Sequence, residues 1–355
     1  MIWSKRDSFG GKKAGLRAVF CLVLFLTFGA HGSVAPYCLA EDWPQLAAGQ
    51  TLGQVGGLGV GRDGTIYVFH RGKKSWGGGG RIWSRVQNYL MHWFSPADPL
   101  EPVQETAVLG VDPETGAVIS AFGTNQFLIP HGLAVDAQDN LWLTDVGLHQ
   151  VFKMSKEGKV LLVVGEAGVA GNDQTHFNKP TDVAVARDGS FFVADGYGNA
   201  RIVKFSPTGT YQFEWGGKGT EHGRFDTPHG IAIGRDQKIY VADRGNARLQ
   251  VFDAAGKFLA AYAGPEIGRP WAVDVSADGH VFVADGGDQL AHQPRSGLVM
   301  LSPAGNVAAR WSQYGYQAGG LVWPHDLAAS RNLDVYVGEV LDSHRLQKFT
   351  TDCPK

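Results

Sequence analysis

One motif occurs six times along this chain, and that repetition constrains the fold more than any other feature of the sequence. The copies begin at Gly56 (GGLGVGRDGTIYVFH), His131 (HGLAVDAQDNLWLTD), Thr181 (TDVAVARDGSFFVAD), His229 (HGIAIGRDQKIYVAD), Trp271 (WAVDVSADGHVFVAD) and His325 (HDLAASRNLDVYVGE). Each reads as a short apolar strand, a polar turn and a second strand rich in Val, Ile, Tyr and Phe. Third strands follow as HQVFKMS, ARIVKFS, ARLQVFD, GLVMLS and HRLQKFT, and fourth strands are visible in KVLLVVG and GTYQFEWG. Four short strands per unit, six times over, predict an all-β six-bladed β-propeller. No 3.6-residue periodicity runs through these segments, which excludes a helical solenoid.

The chain stops soon after the third strand of the sixth copy, so residues 42–51 are expected to supply its outer strand and close the ring. Copy 1 carries an insertion over 72–106 where other copies have a short turn. Loops of that length in a compact domain are usually functional or disordered, and the aromatic content of this one predicts a packed wall or lid.

Residues 1–40 do not share the repeat. Lys5, Arg6, Lys12, Lys13 and Arg17 precede an apolar run over 18–28, small residues follow, and Ala40 stands before Glu41. Those are the marks of a secretory signal, and the run falls short of the ~20 apolar residues of a membrane span. The expected organisation is a signal peptide over 1–40 and a propeller over 41–355, exported to a periplasm or secreted, and monomeric. Removing residues 1–40, with five Lys/Arg and one Asp, leaves 27 basic and 33 acidic residues. An acidic balance excludes a nucleic-acid surface, which requires a basic face. Cleavage after Ala40 would leave Cys353 as the sole cysteine, so no internal disulfide is expected.

The first slot of the repeat holds Gly56, His131, Thr181, His229, Trp271 and His325. Histidine therefore occupies copies 2, 4 and 6, although the chain has only 12 His in 355 residues. First strands line the channel of a propeller, and alternate blades of a six-fold ring stand about 120° apart. Three imidazoles then converge on the axis and leave one coordination position open, the arrangement of catalytic zinc, with iron and copper as rivals. A single histidine in this slot would ordinarily be a satisfied core residue; three on alternate blades point to a metal.

Because the first two strands of a blade are antiparallel, residues just after the second strand lie at the histidine end of the channel. Those residues include Arg71, Tyr197 and Arg244. Two guanidiniums and a phenol beside a metal suit a substrate carrying a carboxylate. Asp145, Asp195, Asp243 and Asp285 end the second strands of their copies; their recurrence marks them as structural. Asp326, which follows His325, could hold a hard cation with backbone carbonyls, or act as a cap.

VADGYGNARIVKF and VADRGNARLQVF resemble the NHL repeat. More narrowly, the chain from about residue 52 onward resembles the peptidyl-α-hydroxyglycine α-amidating lyase family. The resemblance rests on FHRG, IPHGLAVD, TDVGLHQVFK, THFNKPTDVAV, VADGYGNARIV, TPHGIAI, VADRGNARLQ and WPHDLA, in the family's order. It implies catalytic Zn2+ on His131, His229 and His325, with Tyr197, Arg71 and Arg244 as catalytic residues. It also implies a structural Ca2+ held by the Asp326 carboxylate and the carbonyls of Leu58 and Leu133. The implied reaction cleaves the C–N bond of a C-terminal α-hydroxyglycine to give a peptide amide and glyoxylate. The chain departs from the family at Asn178, Gly198, Tyr240 and Val251, which match two disulfides, and at Trp323, which replaces a methionine. Two other readings compete: a non-catalytic NHL propeller acting as an envelope binding module, and a lactonase or cyclic-peptide lyase. A binding module has no need of Tyr197, Arg71 and Arg244, and lactonase propellers bind metal mainly through carboxylates and Asn.

Overall fold

Hairpin chemistry sets the blades. In the RDG turns of copies 1 and 3, Gly64 and Gly189 adopt φ of 93° and 84°, a region open to glycine at little cost. The turns are closed by Gly64 N–H donating to Gly61 O at 3.1 Å and Gly189 N–H to Ala186 O at 2.9 Å. A computed structural model of the protein describes residues 37–46, 51–76, 101–287, 294–341 and 343–353. Among these, every element is a β-strand, arranged in six four-stranded antiparallel sheets. The fold is a six-bladed β-propeller.

Strand β1 (Cys38–Leu39) is discussed below; blade 1 runs β2 (Val55–Val60), β3 (Ile66–His70), β4 (Val108–Val111) and β5 (Val118–Phe122), from the channel outward. The innermost strands of the other blades are Pro130–Val135, Asp182–Val185, Pro228–Ile233, Pro270–Val275 and Pro324–Ala329. Each packs on the next, and the last packs on β2, closing the ring. In five blades the second strand is buried at every position, which explains its continuous apolar run: it is covered on both faces by neighbouring blades. Fourth strands such as Val118–Phe122 and Phe258–Ala263 alternate half-buried and exposed residues, as a rim strand should. The core therefore lies between blades; Val68 and Leu109 of blade 1, for example, share a cluster with Trp43, Tyr336 and Ala328.

The ring closes differently from expectation. The outer strand of the sixth blade is Cys38–Leu39, paired as Cys38↔Thr350 and Leu39↔Phe349, not residues 42–51. Trp43 instead turns inward between blades 6 and 1. Its ring lies 5.0 Å from that of Tyr336, and its Nε1–H donates to Asp112 O at 3.1 Å. Residues 47–50 of the expected strand lie outside the described residues. The expectation of no internal disulfide is also overturned: Cys38 and Cys353 are bonded, with Cα atoms 5.7 Å apart. The propeller thus reaches back past the expected boundary at residue 40, to the strand that begins at Cys38. The signal-peptide assignment over 1–36, and residues 77–100 of the blade 1 insertion, lie outside the described residues.

This disulfide spans 315 residues and holds a strand of only two. Cys38→Ser should therefore lower the stability of the oxidised protein by about 2–5 kcal/mol, and reductant should bring the wild type to the same denaturation midpoint. Equal midpoints for variant and oxidised wild type would show that blade packing alone closes the ring.

Candidate active site

The three histidines sit at the start of inner strands, and the neighbouring blade fixes each ring. His131 Nδ1 lies 2.6 Å from Thr181 O, His229 Nδ1 2.7 Å from Trp271 O, and His325 Nδ1 2.8 Å from Gly56 O. A carbonyl can only accept, so each Nδ1 carries the hydrogen and each Nε2 keeps its lone pair. The acceptors are the first-slot residues of copies 3, 5 and 1: the slots without histidine orient the slots that have one. Gly56 is forced by this packing, because a Cβ there would meet Pro130 O at 2.7 Å and His131 O at 2.8 Å.

The ring centroids form a near-equilateral triangle with sides of 4.5, 4.8 and 4.9 Å. One ring nitrogen from each lies within 4.8 Å of the others, and all three residues are buried. Burial pushes all three imidazoles well below their usual pKa, and cationic neighbours, Arg71 for His131 and His325 and Arg244 for all three, push the same way. Burial thus favours unprotonated rings, each with an Nε2 lone pair free to bind a metal. The donor set of three fixed, neutral Nε2 atoms fits a borderline metal such as zinc.

Tyr197 stands over this triangle. Its hydroxyl lies 3.1 Å from His131 Nε2 and 3.1 Å from His229 Nε2, and Arg244 Nη1 donates to it at 3.4 Å. The Arg244 guanidinium also covers the rings of Tyr197 and Trp271, at 5.2 and 4.5 Å. Arg71 is fully buried, with Nε donating to Pro130 O at 2.9 Å and Nη1 to Gln54 Oε1 at 2.6 Å. Burial pulls its pKa down to about 10, with Tyr197 opposing that shift. Three sequence-selected groups, the histidines, the phenol and the arginines, thus share one end of the channel.

The sequence points to an aromatic wall from the insertion and to Trp323, but does not single out Trp76 or Gln54 as residues of the site. Trp76 lies edge-on to Tyr197 at 5.3 Å and to His131 at 6.0 Å, with Arg71 5.0 Å above its ring. Trp271 contacts His229 and His325, and Trp323 packs on Trp271 at 5.6 Å. Trp271 was visible in the repeat's first slot. Trp76 was not, since it begins an insertion with no repeat to place it.

Further along the channel, Leu58, Leu133 and Asp326 line a cavity of about 250 Å³ together with Asp182 and Asp274. Asp182 occupies in copy 3 the slot of Asp326, so Asp326 is not alone there. Asp326 accepts from Leu58 N–H at 2.7 Å and Leu327 N–H at 2.9 Å. Burial raises the carboxyl pKa of all three, that of Asp182 to about 7, and the carboxylates reinforce one another for Asp182 and Asp326. The recurring strand-end aspartates are consumed structurally: Asp195 and Asp243, for instance, bind Arg201 at 3.0 Å and Arg248 at 2.7 Å within their own blades.

The sequence model of the NHL repeat matches residues 177–205 and 225–252. Peptidyl-glycine α-amidating monooxygenase B of Xenopus laevis is 37% identical over 313 residues, covering 84% of this chain and 34% of that protein. Peptidyl-α-hydroxyglycine α-amidating lyase 1 of Drosophila melanogaster is 32% identical over 336 residues, covering 88% of this chain and 59% of that protein. Proteins named peptidyl-α-hydroxyglycine α-amidating lyase are thus 32–43% identical to this chain over the stretches they share with it. It spans about a third of the length of the monooxygenases it matches. A streptogramin B lyase structure aligns with a TM-score of 0.57 at 13% identity over 88% of this chain and 97% of its own, a likeness of fold alone. Where the family pattern places a disulfide, Gly198 N–H donates to Asn178 O at 3.0 Å, and the Asn178 amide fills the space a Cβ on Gly198 would need. The other matching pair, Tyr240 and Val251, sits directly across two strands. Both positions keep the proximity without the covalent bond.

Proposed function

We propose that the protein is an exported zinc-dependent lyase that cleaves the C–N bond of peptidyl-α-hydroxyglycine, or a related α-hydroxy-amide, to an amide and glyoxylate. The observation that carries this reading is the Tyr197 hydroxyl, 3.1 Å from two of the three converging Nε2 atoms. A base for the substrate hydroxyl stands where the ligands of a metal meet. Zinc held by His131, His229 and His325 would supply Lewis-acid polarisation of a substrate oxygen.

The chain's own groups do the rest. Tyr197 takes the proton from the α-hydroxyl as general base. The oxygen lone pair forms the C=O of glyoxylate while the C–N bond breaks, and the proton passes to the leaving amide nitrogen. Arg244, bonded to the Tyr197 hydroxyl, orients the carboxylate, and Arg71 supplies a second, buried positive charge. Trp76, Trp271 and Trp323 restrict water and shape the site. The test is zinc content of the purified protein followed by glyoxylate release from a short peptidyl-α-hydroxyglycine. About one zinc per chain with metal-dependent glyoxylate is expected; zinc without glyoxylate would return the protein to a binding role.

Ca2+ is proposed at Asp326, with the carbonyls of Leu58 and Leu133. Burial disfavours the charged forms of Asp182, Asp274 and Asp326, a cost that a hard cation would offset, and each still has lone pairs to give. Calcium at about 100 times its Kd should then add about 2.7 kcal/mol of stability to chelator-treated protein. Asp326→Asn should abolish the increment in a thermal melt; an unchanged calcium response in that variant would remove Asp326 from the site. Export is supported by the basic, then apolar, leader and by the Cys38–Cys353 bond, which forms in oxidising compartments.

A further inference from the structure

Two buried hydrogen-bond donors beside the site have no acceptor. Arg71, 2% exposed, has Nε on Pro130 O and Nη1 on Gln54 Oε1, but its Nη2 has no partner. Gln54, 1% exposed, accepts with Oε1 from Arg71 and, at 3.5 Å, from Trp76 N–H, while its Nε2 is also without a partner. Flipping the amide would set its NH2 against a guanidinium, donor to donor, so the orientation is fixed.

A buried donor left unsatisfied costs about 1–3 kcal/mol, and such groups in a folded protein call for an explanation. Here the two occur on adjacent side chains. Each is the geminal neighbour of an atom in the one Nη1–Oε1 hydrogen bond, so that bond ties the two side chains together. Among the described residues, no carboxylate forms an ion pair with Arg71. Its hydrogen-bond partner is the neutral Gln54, and the Asp145 carboxylate acts on its charge without a direct ion pair. Arg71 also lines a cavity of about 190 Å³ with Lys74, Trp76, Glu101, Leu128 and Ile129, which leaves room for a small group; Lys74 Nζ there donates to the carbonyls of Glu101 and Leu128.

We propose that Gln54 Nε2 and Arg71 Nη2 form a two-donor cradle for a single carboxylate, and that Gln54 is a substrate-contacting residue that makes the site selective for acids over their amides. A carboxylate supplies two acceptor oxygens and the direct ion pair that Arg71 lacks. A neutral amide presents one acceptor oxygen and an NH2 that would face a donor. The identity of that carboxylate as the hydroxyglycine terminus rests on the function proposed above; the cradle itself does not.

The test uses the purified propeller and two unreactive probes, N-acetylglycine and N-acetylglycinamide, with binding read by calorimetry. Gln54→Glu keeps the side-chain shape but sets a carboxylate against the guanidinium and the incoming anion. It should weaken N-acetylglycine by about 10–100-fold, the range expected for a lost charge-assisted hydrogen bond. Binding of N-acetylglycinamide should stay within about twofold, since no full charge is at stake. Gln54→Met, which removes the donor without adding charge, should give a smaller loss confined to the acid. Equal losses for both probes, no loss for either, or a wild type that does not bind N-acetylglycine would each overturn the cradle. Failure of the lyase reading looks different: acid binding that depends on Gln54, with no glyoxylate released from a hydroxyglycine peptide.

Discussion

His229→Ala is expected to abolish both the metal and the activity while leaving the propeller folded. His229 supplies one corner of a triangle whose other corners are His131 and His325, and two imidazoles cannot hold zinc in a closed catalytic set. Losing Lewis-acid assistance is worth several kcal/mol, hence on the order of 10³-fold or more in glyoxylate release. The fold should survive, because the pairing of Pro228–Ile233 with Ile239–Asp243 is made by backbone groups that the substitution leaves intact. The Trp271 carbonyl loses one donor, and a small cavity opens beside Trp271. Metal analysis and a thermal melt read the two halves separately. A variant that keeps one zinc and normal turnover would show that the ligands lie elsewhere. Loss of zinc with normal turnover would show that the chemistry needs no metal.

The histidine triad was legible because a propeller converts sequence register into angle. A residue type in one slot of alternate repeats must converge on the axis, so position in the repeat carries three-dimensional information. Tyr197 and the two arginines were legible for a related reason, since the antiparallel hairpin returns the end of the second strand to the start of the first. What could not be read lacked a repeat to place it. Trp76 begins an insertion, and Gln54 precedes the first recognisable copy. The closing strand Cys38–Leu39 is two residues long, too short to show alternation, and its partner Thr350 lies at the other end of the chain. It also lies in a segment whose basic and apolar character spoke for a leader. Asp182 is a different case: it stood in the same slot as Asp326 and needed only to be compared with it.

Tyr197→Phe should separate the metal from the chemistry. The ring makes four contacts that phenylalanine retains: edge-on to Trp76 at 5.3 Å, to His131 at 5.3 Å and to His229 at 5.6 Å, and beneath the Arg244 guanidinium at 5.2 Å. Only the hydroxyl is lost, and with it the group 3.1 Å from two Nε2 atoms. The Nε2 lone pairs remain, held by the same Nδ1–carbonyl hydrogen bonds, so zinc content should stay near wild type. Removing a general base typically costs about 10²–10⁴-fold in rate. Because Arg71 and Arg244 remain to hold the carboxylate, the loss should fall on kcat with KM nearly unchanged. A parallel rise in KM would instead assign the hydroxyl to binding. Full activity in a zinc-replete Tyr197→Phe protein would remove Tyr197 from the proton transfer and leave the triad without its base, for no other hydroxyl or carboxylate among the described residues is hydrogen-bonded to these imidazoles.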